Sequence, residues 1–313
     1  MFKMTEESSF SPATTYKKII HFAKAAFVTV IALNVCVNPS IAADPFPRRQ
    51  PRNIGEKTEA AFKAIFKQGN YQEAQKYLQQ AISSEPNEPL AYAMQASLAY
   101  TKQDLTTLES YSTKTLNTAK NLISDDPLRG NLYAAVGHFL QGAVILTREG
   151  TVKGAPKALS RLRQVYKHLD KAETISPKDP ELNLITGYMD LMLAVNLPFA
   201  NPQQAIEKLE QNAGPRYLVD RGIAIAYRDL KKYSQALAYA NRALKITSEN
   251  PELHYLKAQI LREQATKQKN PLLLQQALAY FDQALAKKSQ LPAPLVKQIE
   301  RERRRTAKNA NGS

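Results

Sequence analysis

The sequence predicts an all-α fold built from repeated pairs of antiparallel helices, and three observations carry that expectation. Leu, Ala, Gln, Lys and Glu dominate the 313 residues, Gly numbers only 11, Trp is absent, and runs of alternating apolar residues are few. Tyr71–Pro86, YQEAQKYLQQAISSEP, reads as one amphipathic helix with a defined stop. Ala74, Leu78 and Ala81 fall at i, i+4 and i+7 on one face, Gln and Lys fill the other side, and Pro86 ends it. The same spacing then returns as Val165, Leu169 and Ala172 before Pro177, as Ala236, Ala240 and Ala243, and as Ala277, Phe281 and Ala284. Ser248 and Ser289 stand where the proline stood in the last two copies. Small residues on a buried stripe let a neighbouring helix come close, and a pattern that recurs along a chain marks a repeat architecture.

The spacing small-x3-large-x2-small-x4-Pro resembles the second helix of a tetratricopeptide repeat. The first helix of that repeat carries an aromatic, a small and a large apolar residue; Tyr133, Val136, Gly137 and Leu140 fit, as do Ile223, Ala224 and Tyr227. The resemblance covers roughly residues 56–292, in about six repeats. It implies a right-handed superhelical solenoid of antiparallel helix pairs, with a concave groove lined by first helices. It also implies binding of peptides or partner proteins, with no chemistry common to the family.

Ahead of the repeats, Lys17, Lys18 and Lys24 precede the apolar run 25–37, and Ser40-Ile41-Ala42-Ala43 follows with small residues suited to a signal peptidase. Residues 1–43 are therefore expected to be a signal peptide cut after Ala42 or Ala43, which places the chain in the periplasm or an equivalent exported compartment. The alternative is a membrane anchor formed by uncleaved residues 17–37. Cleavage would remove the single cysteine, Cys36, so the mature fold would rest on packing without disulfides. Residues 44–55 contain three prolines and three arginines and read as an extended linker outside the fold, with a basic charge that could touch an anionic membrane surface.

Along the array, Gly69 marks the first turn, Pro127, Pro180 and Pro251 open first helices, and Glu149–Pro156 is expected to be a long loop. The helix over 157–175 buries Leu162, Val165, Leu169 and Ala172, and turns Lys157, Arg161, His168 and Lys171 outward as a solvated basic stripe. The fourth repeat is the least regular, with a dense apolar group from Leu191 to Phe199, read as core, and a short helix over 203–211. Ala265–Asn270 is a polar insertion between the helices of the sixth repeat. Residues 293–313 form a capping helix, packed through Leu295 and Ile299 with Glu300–Arg305 outward, and a frayed basic tail from residue 306.

The formal charge is +15, but exported proteins rarely meet nucleic acid, and the basic run Arg301–Arg305 is read as a helix-end feature. No metal-ligand spacing, phosphate-cradling glycine loop or nucleophile motif is present, and His138, His168 and His254 lie in separate repeats. The reading is therefore a non-enzyme without cofactor or metal. It is a scaffold or adaptor of the cell envelope that takes a protein or peptide partner, acidic in character. An accessory subunit tethering an envelope-biogenesis enzyme is the alternative, and an enzyme with an unrecognised site the third reading. Alignment of the first helices on their small residue points Tyr100, His138, Gln141, Tyr188, Arg221, Arg228, Tyr255 and Arg262 into the groove. Arg and Tyr are effective partner-binding types, and the arginines could fork onto carboxylates. The tetratricopeptide subfamily that docks chaperone C-termini uses a Lys/Asn set, and Lys63 and Glu59 depart from it, which argues against that ligand.

Overall fold

The computed structural model describes residues 44–195 and 201–311. The expected signal peptide, Cys36, and Leu197 and Phe199 of the fourth repeat lie outside the described residues. Twelve α-helices and no strand occur among the described residues. The helices are α1 (Glu56–Phe62, continued by a π turn Lys63–Lys67), α2 (Tyr71–Ser84), α3 (Pro89–Thr101) and α4 (Leu105–Leu122). Then come α5 (Pro127–Ile175), α6 (Pro180–Ala194), α7 (Pro202–Asn212) and α8 (Arg216–Asp229). The last four are α9 (Tyr233–Ile246), α10 (Pro251–Gln268), α11 (Pro271–Ala286) and α12 (Ala293–Asn311). Successive helices pack as adjacent antiparallel pairs, the architecture of a tetratricopeptide-type solenoid.

The second helices bury the stripes that the spacing predicts. Ala74, Leu78, Ala81, Val165, Ala172, Ala236, Ala240, Ala243, Ala277, Phe281 and Ala284 are all inaccessible to solvent. The starts of the helices share one device. Glu88-Pro89, Asp126-Pro127, Asp179-Pro180, Asn201-Pro202, Asn250-Pro251 and Asn270-Pro271 each place a side-chain acceptor at the cap and proline in the first turn. The cap satisfies amides that the helix leaves unpaired, and proline has no amide to satisfy at that position.

Four local expectations need correction. The segment Glu149–Pro156 is helical apart from Gly150 (φ 76°, ψ 173°), which folds α5 into two antiparallel arms. Glycine tolerates that backbone, and Pro156 gives up one helical hydrogen bond beyond the bend. Most of the Ala265–Asn270 insertion extends α10 to Gln268, where Lys269 closes it in a left-handed conformation (φ 51°). The C-terminal tail is helical to Asn311, because Thr306 is buried beneath it and Glu302 turns inward. The largest difference is at the start. Residues 44–54 are not a linker outside the fold: Phe46 and Ile54 are buried, and the strap they belong to crosses the starts of α5 and α6.

The array also meets itself. The Tyr71 hydroxyl donates to Glu252 Oε1 at 2.7 Å, and Asn250 Nδ2 donates to the Phe66 carbonyl at 3.2 Å, joining the first repeat to the sixth. Gly69 lies at this junction with φ 66°, and a Cβ there would stand 2.7 Å from both Asn250 Oδ1 and Pro251 Cδ. Only glycine permits both that turn and that approach.

Candidate binding surfaces

Several first helices tie to a neighbouring helix through charge. Arg129 on α5 forks onto Glu88 of α3 at 3.0 and 2.7 Å. Glu181, in the first turn of α6, accepts from the Tyr133 hydroxyl at 2.6 Å and from Arg48 of the strap at 3.1 Å. Arg221 on α8 donates to Glu252 of α10 at 2.8 Å. On α10, Arg262 and Tyr255 both donate to Glu302 of α12 at 2.7 Å. These carboxylates sit at or near helix starts, where the backbone dipole favours negative charge, except Glu302, which is mid-helix.

Glu181 is the hub. It is fully buried, and burial alone would raise its pKa, but the guanidinium groups of Arg129 and Arg48 hold it below the ordinary carboxylate value. Its neighbours respond differently. Burial raises the pKa of Glu88 and of Asp179 by more than their arginine partners lower it. Arg129 itself stays firmly cationic: burial disfavours its charge, yet Glu88 and Glu181 more than restore it.

Burial or internal pairing takes up the residues that the sequence points into the groove. Arg221, Tyr188, His138 and Tyr255 are buried, and Arg228, Arg262, Tyr100 and Gln141 are half-buried. Arg228 is spent on Asp229 and Gln259, each at 2.8 Å, and Arg262 on Glu302. Tyr188 donates to the Leu218 carbonyl at 2.6 Å, and burial pushes the Tyr100 phenol up to about 12. The positive strip of Arg221, Arg228 and Arg262 is thus paired internally: Arg221 with Glu252 of α10, Arg228 with Asp229 beside it, and Arg262 with Glu302 of α12. The sequence signal for this was the acidic residue beside the opening proline in Glu88-Pro89, Pro180-Glu181 and Pro251-Glu252.

Contrary to the expectation of separate repeats with His168 turned outward, His138 and His168 stack at a ring separation of 5.6 Å between the arms of α5, with Arg161 Nη1 3.5 Å from His138 Nδ1 and Asn131 Oδ1 2.9 Å from His168 Nδ1. The contacts around them are cationic. Burial, then His168, Arg161 and Lys120, lower the His138 pKa to about 4. Among the described residues no group of three or more His, Cys, Asp or Glu is placed to hold a metal ion, and no helix is long and apolar enough to cross a membrane.

The outer face of the second arm of α5 is different in kind. Lys153, Arg163, Lys167, Lys171 and Lys178 are exposed and form no ion pair with any described residue. Arg163, Lys167 and Lys171 recur every fourth position on one face. Between them runs an open groove of about 590 Å³ lined by Leu159, Leu162, Tyr166 and Asp170. Leu159 and Val152 on the same arm are 48% and 78% exposed.

Comparison with protein families agrees with this architecture. The family model described as tetratricopeptide repeat matches residues 60–107 and 221–292, the first repeat with the start of the second and the fifth with the sixth. Both matched segments therefore carry tetratricopeptide repeats. A comparison with curated proteins gave no match. Repeats of this family generally mediate protein–protein interaction.

Proposed function

We propose that this protein is a non-catalytic adaptor that docks an acidic partner protein on the outer ridge of α5, not in the groove. The observation that carries this is the row of unpaired cations at Lys153, Arg163, Lys167, Lys171 and Lys178, interleaved with exposed Leu159 and Val152. A positively charged, partly apolar strip recognises a negatively charged surface with an apolar centre, and its charges speed the encounter. Residues 17–43 support a place in the cell envelope, because they read as an export signal. N-terminal sequencing of the protein from cells should then begin at Ala43 or Asp44; an intact Met1 in a soluble cytoplasmic pool would contradict it.

The docking test compares two multiple variants. Arg163→Glu with Lys167→Glu and Lys171→Glu should fold normally and lose the partner that crosslinks to a photoreactive residue at Leu159 in the unmodified chain. Arg228→Ala with Arg262→Ala, in the inner network, should retain it. The opposite pattern would return the binding site to the groove.

A further inference from the structure

We propose that the strap Asp44–Ile54 occupies, in cis, a binding site for an extended peptide carrying paired arginines. The strap is seated like a bound peptide. Phe46, Arg48, Arg52 and Ile54 reach inward, while Pro47, Arg49, Gln50, Pro51 and Asn53 stay exposed. It has no helix or strand, and Phe46 N and Arg52 N donate to its own Asp44 carboxylate rather than to a repeat. Side chains therefore hold it. Phe46 meets Phe62 edge-on at 5.9 Å under the Arg48 guanidinium. Arg48 donates to Asp179 at 3.0 Å and to Glu181 at 3.1 Å, and Arg52 lies 3.3 Å from Asp126.

The host is electrostatically incomplete without this guest. The starts of α3, α5 and α6 contribute four carboxylates, Glu88, Asp126, Asp179 and Glu181, and a single guanidinium, Arg129. Residual negative charge in a largely buried site needs a cation, and planar forked donors fit paired carboxylates better than an ammonium does. The solenoid also makes room for the main chain: a Cβ on Gly214 would lie 2.5 Å from the ring of Pro47. A seat that accepts Phe, Arg and Arg at positions 46, 48 and 52 through side chains alone specifies a ligand class, an aromatic residue followed by two arginines in an extended, proline-bearing segment. The strap, tethered at Gly55, is the resident member of that class and excludes others by its high local concentration.

The test uses a fluorescent synthetic peptide, Asp44–Ile54, added to the full chain. The unmodified protein should bind it at least ~100-fold more weakly than the variant Arg48→Ala with Arg52→Ala, whose own strap no longer competes. Binding to that variant should disappear when Asp179→Asn is added, and a peptide with alanine at both arginine positions should not bind. The ridge variant Arg163→Glu with Lys167→Glu and Lys171→Glu should match the unmodified protein, so this result stands apart from the fate of the ridge proposal. A folded strap variant that ignores the peptide would overturn the inference. So would a strap variant that cannot fold, because the strap would then be a structural member. As a second measurement, a protease site inserted after Asn53 allows the folded chain to be cut. The labelled peptide should exchange into the cut protein, and a fragment that never exchanges would equally count against the proposal.

Discussion

The arginines of the inner rim and those of the outer ridge share a side chain and little else. Arg129 and Arg221 are buried, each facing a carboxylate of a neighbouring first helix, and they hold adjacent repeats in register. Arg163 on the ridge is exposed, lies beside Lys167 and Lys171, and forms no ion pair with a described carboxylate, Asp170 of the same groove included. A guanidinium taken out of water needs a counter-charge to stay folded, whereas one left in water keeps its charge available to another molecule. The lesson is that residue type alone does not separate structural glue from a docking surface; the acid within reach does.

The comparison predicts unequal costs. The largest falls on Glu181→Ala, which leaves Arg129 with Glu88 alone and Arg48 with Asp179 and Asp44, and strips the acceptor from Tyr133. Breaking one side of a buried pair in this way costs about 3–5 kcal/mol, read as a lower urea midpoint. A loss no greater than that of a surface substitution would mean that the rim charges do not hold the ring.

Next comes packing. Ala243 on α9 is fully buried, so Ala243→Leu should overpack its helix contact and cost roughly 1–3 kcal/mol. Gln235→Leu, on the exposed side of the same helix, should change stability by less than about 0.5 kcal/mol. Equal effects would show that the helix is rotated from the register described.

Acid should weaken the fold near the histidine pair. The unfolded chain protonates His138 near its ordinary pKa of about 6.5, while the folded chain resists until about pH 4. The unfolded state therefore binds more protons in that window. The stability from this site is complete above pH 6.5 and lost as pH falls toward 4, by about 1–3 kcal/mol. His138→Asn should flatten this part of the stability profile; an unchanged acid limb would place the loss elsewhere. The smallest stability effect belongs to the ridge: Arg163→Glu with Lys167→Glu and Lys171→Glu should leave the urea midpoint unchanged, and a clear drop would show that those cations have partners within the fold.

What the sequence disclosed was local. The alanine stripes of α2, α9 and α11, the proline-capped helix starts and the turn at Gly69 follow from spacing and backbone preference within one element. They appear where the pattern places them. The strap was not legible, because DPFPRRQPRNI has a linker's composition and becomes part of the core only when helix starts far along the chain assemble its acidic seat. That Tyr188, Arg221 and Tyr255 are buried was not legible for a related reason. Helical spacing gives the face of a side chain but not whether the next repeat sits over that face. The break of α5 was legible as a glycine, but one left-handed residue did the work expected of a loop.

The contact between the first and sixth repeats bears on how the chain folds. Open solenoids lose order from their ends, since a terminal repeat has one neighbour and can fray alone. Here Tyr71 and Glu252 clasp across 181 residues of chain, with Asn250 on the Phe66 carbonyl beside them, so the terminal repeats lend each other a second neighbour. Closing so long a segment is entropically slow and brings no return until the intervening helix pairs are stacked. The clasp therefore belongs to the last event in folding, and once made it ties the melting of the first repeat to that of the sixth.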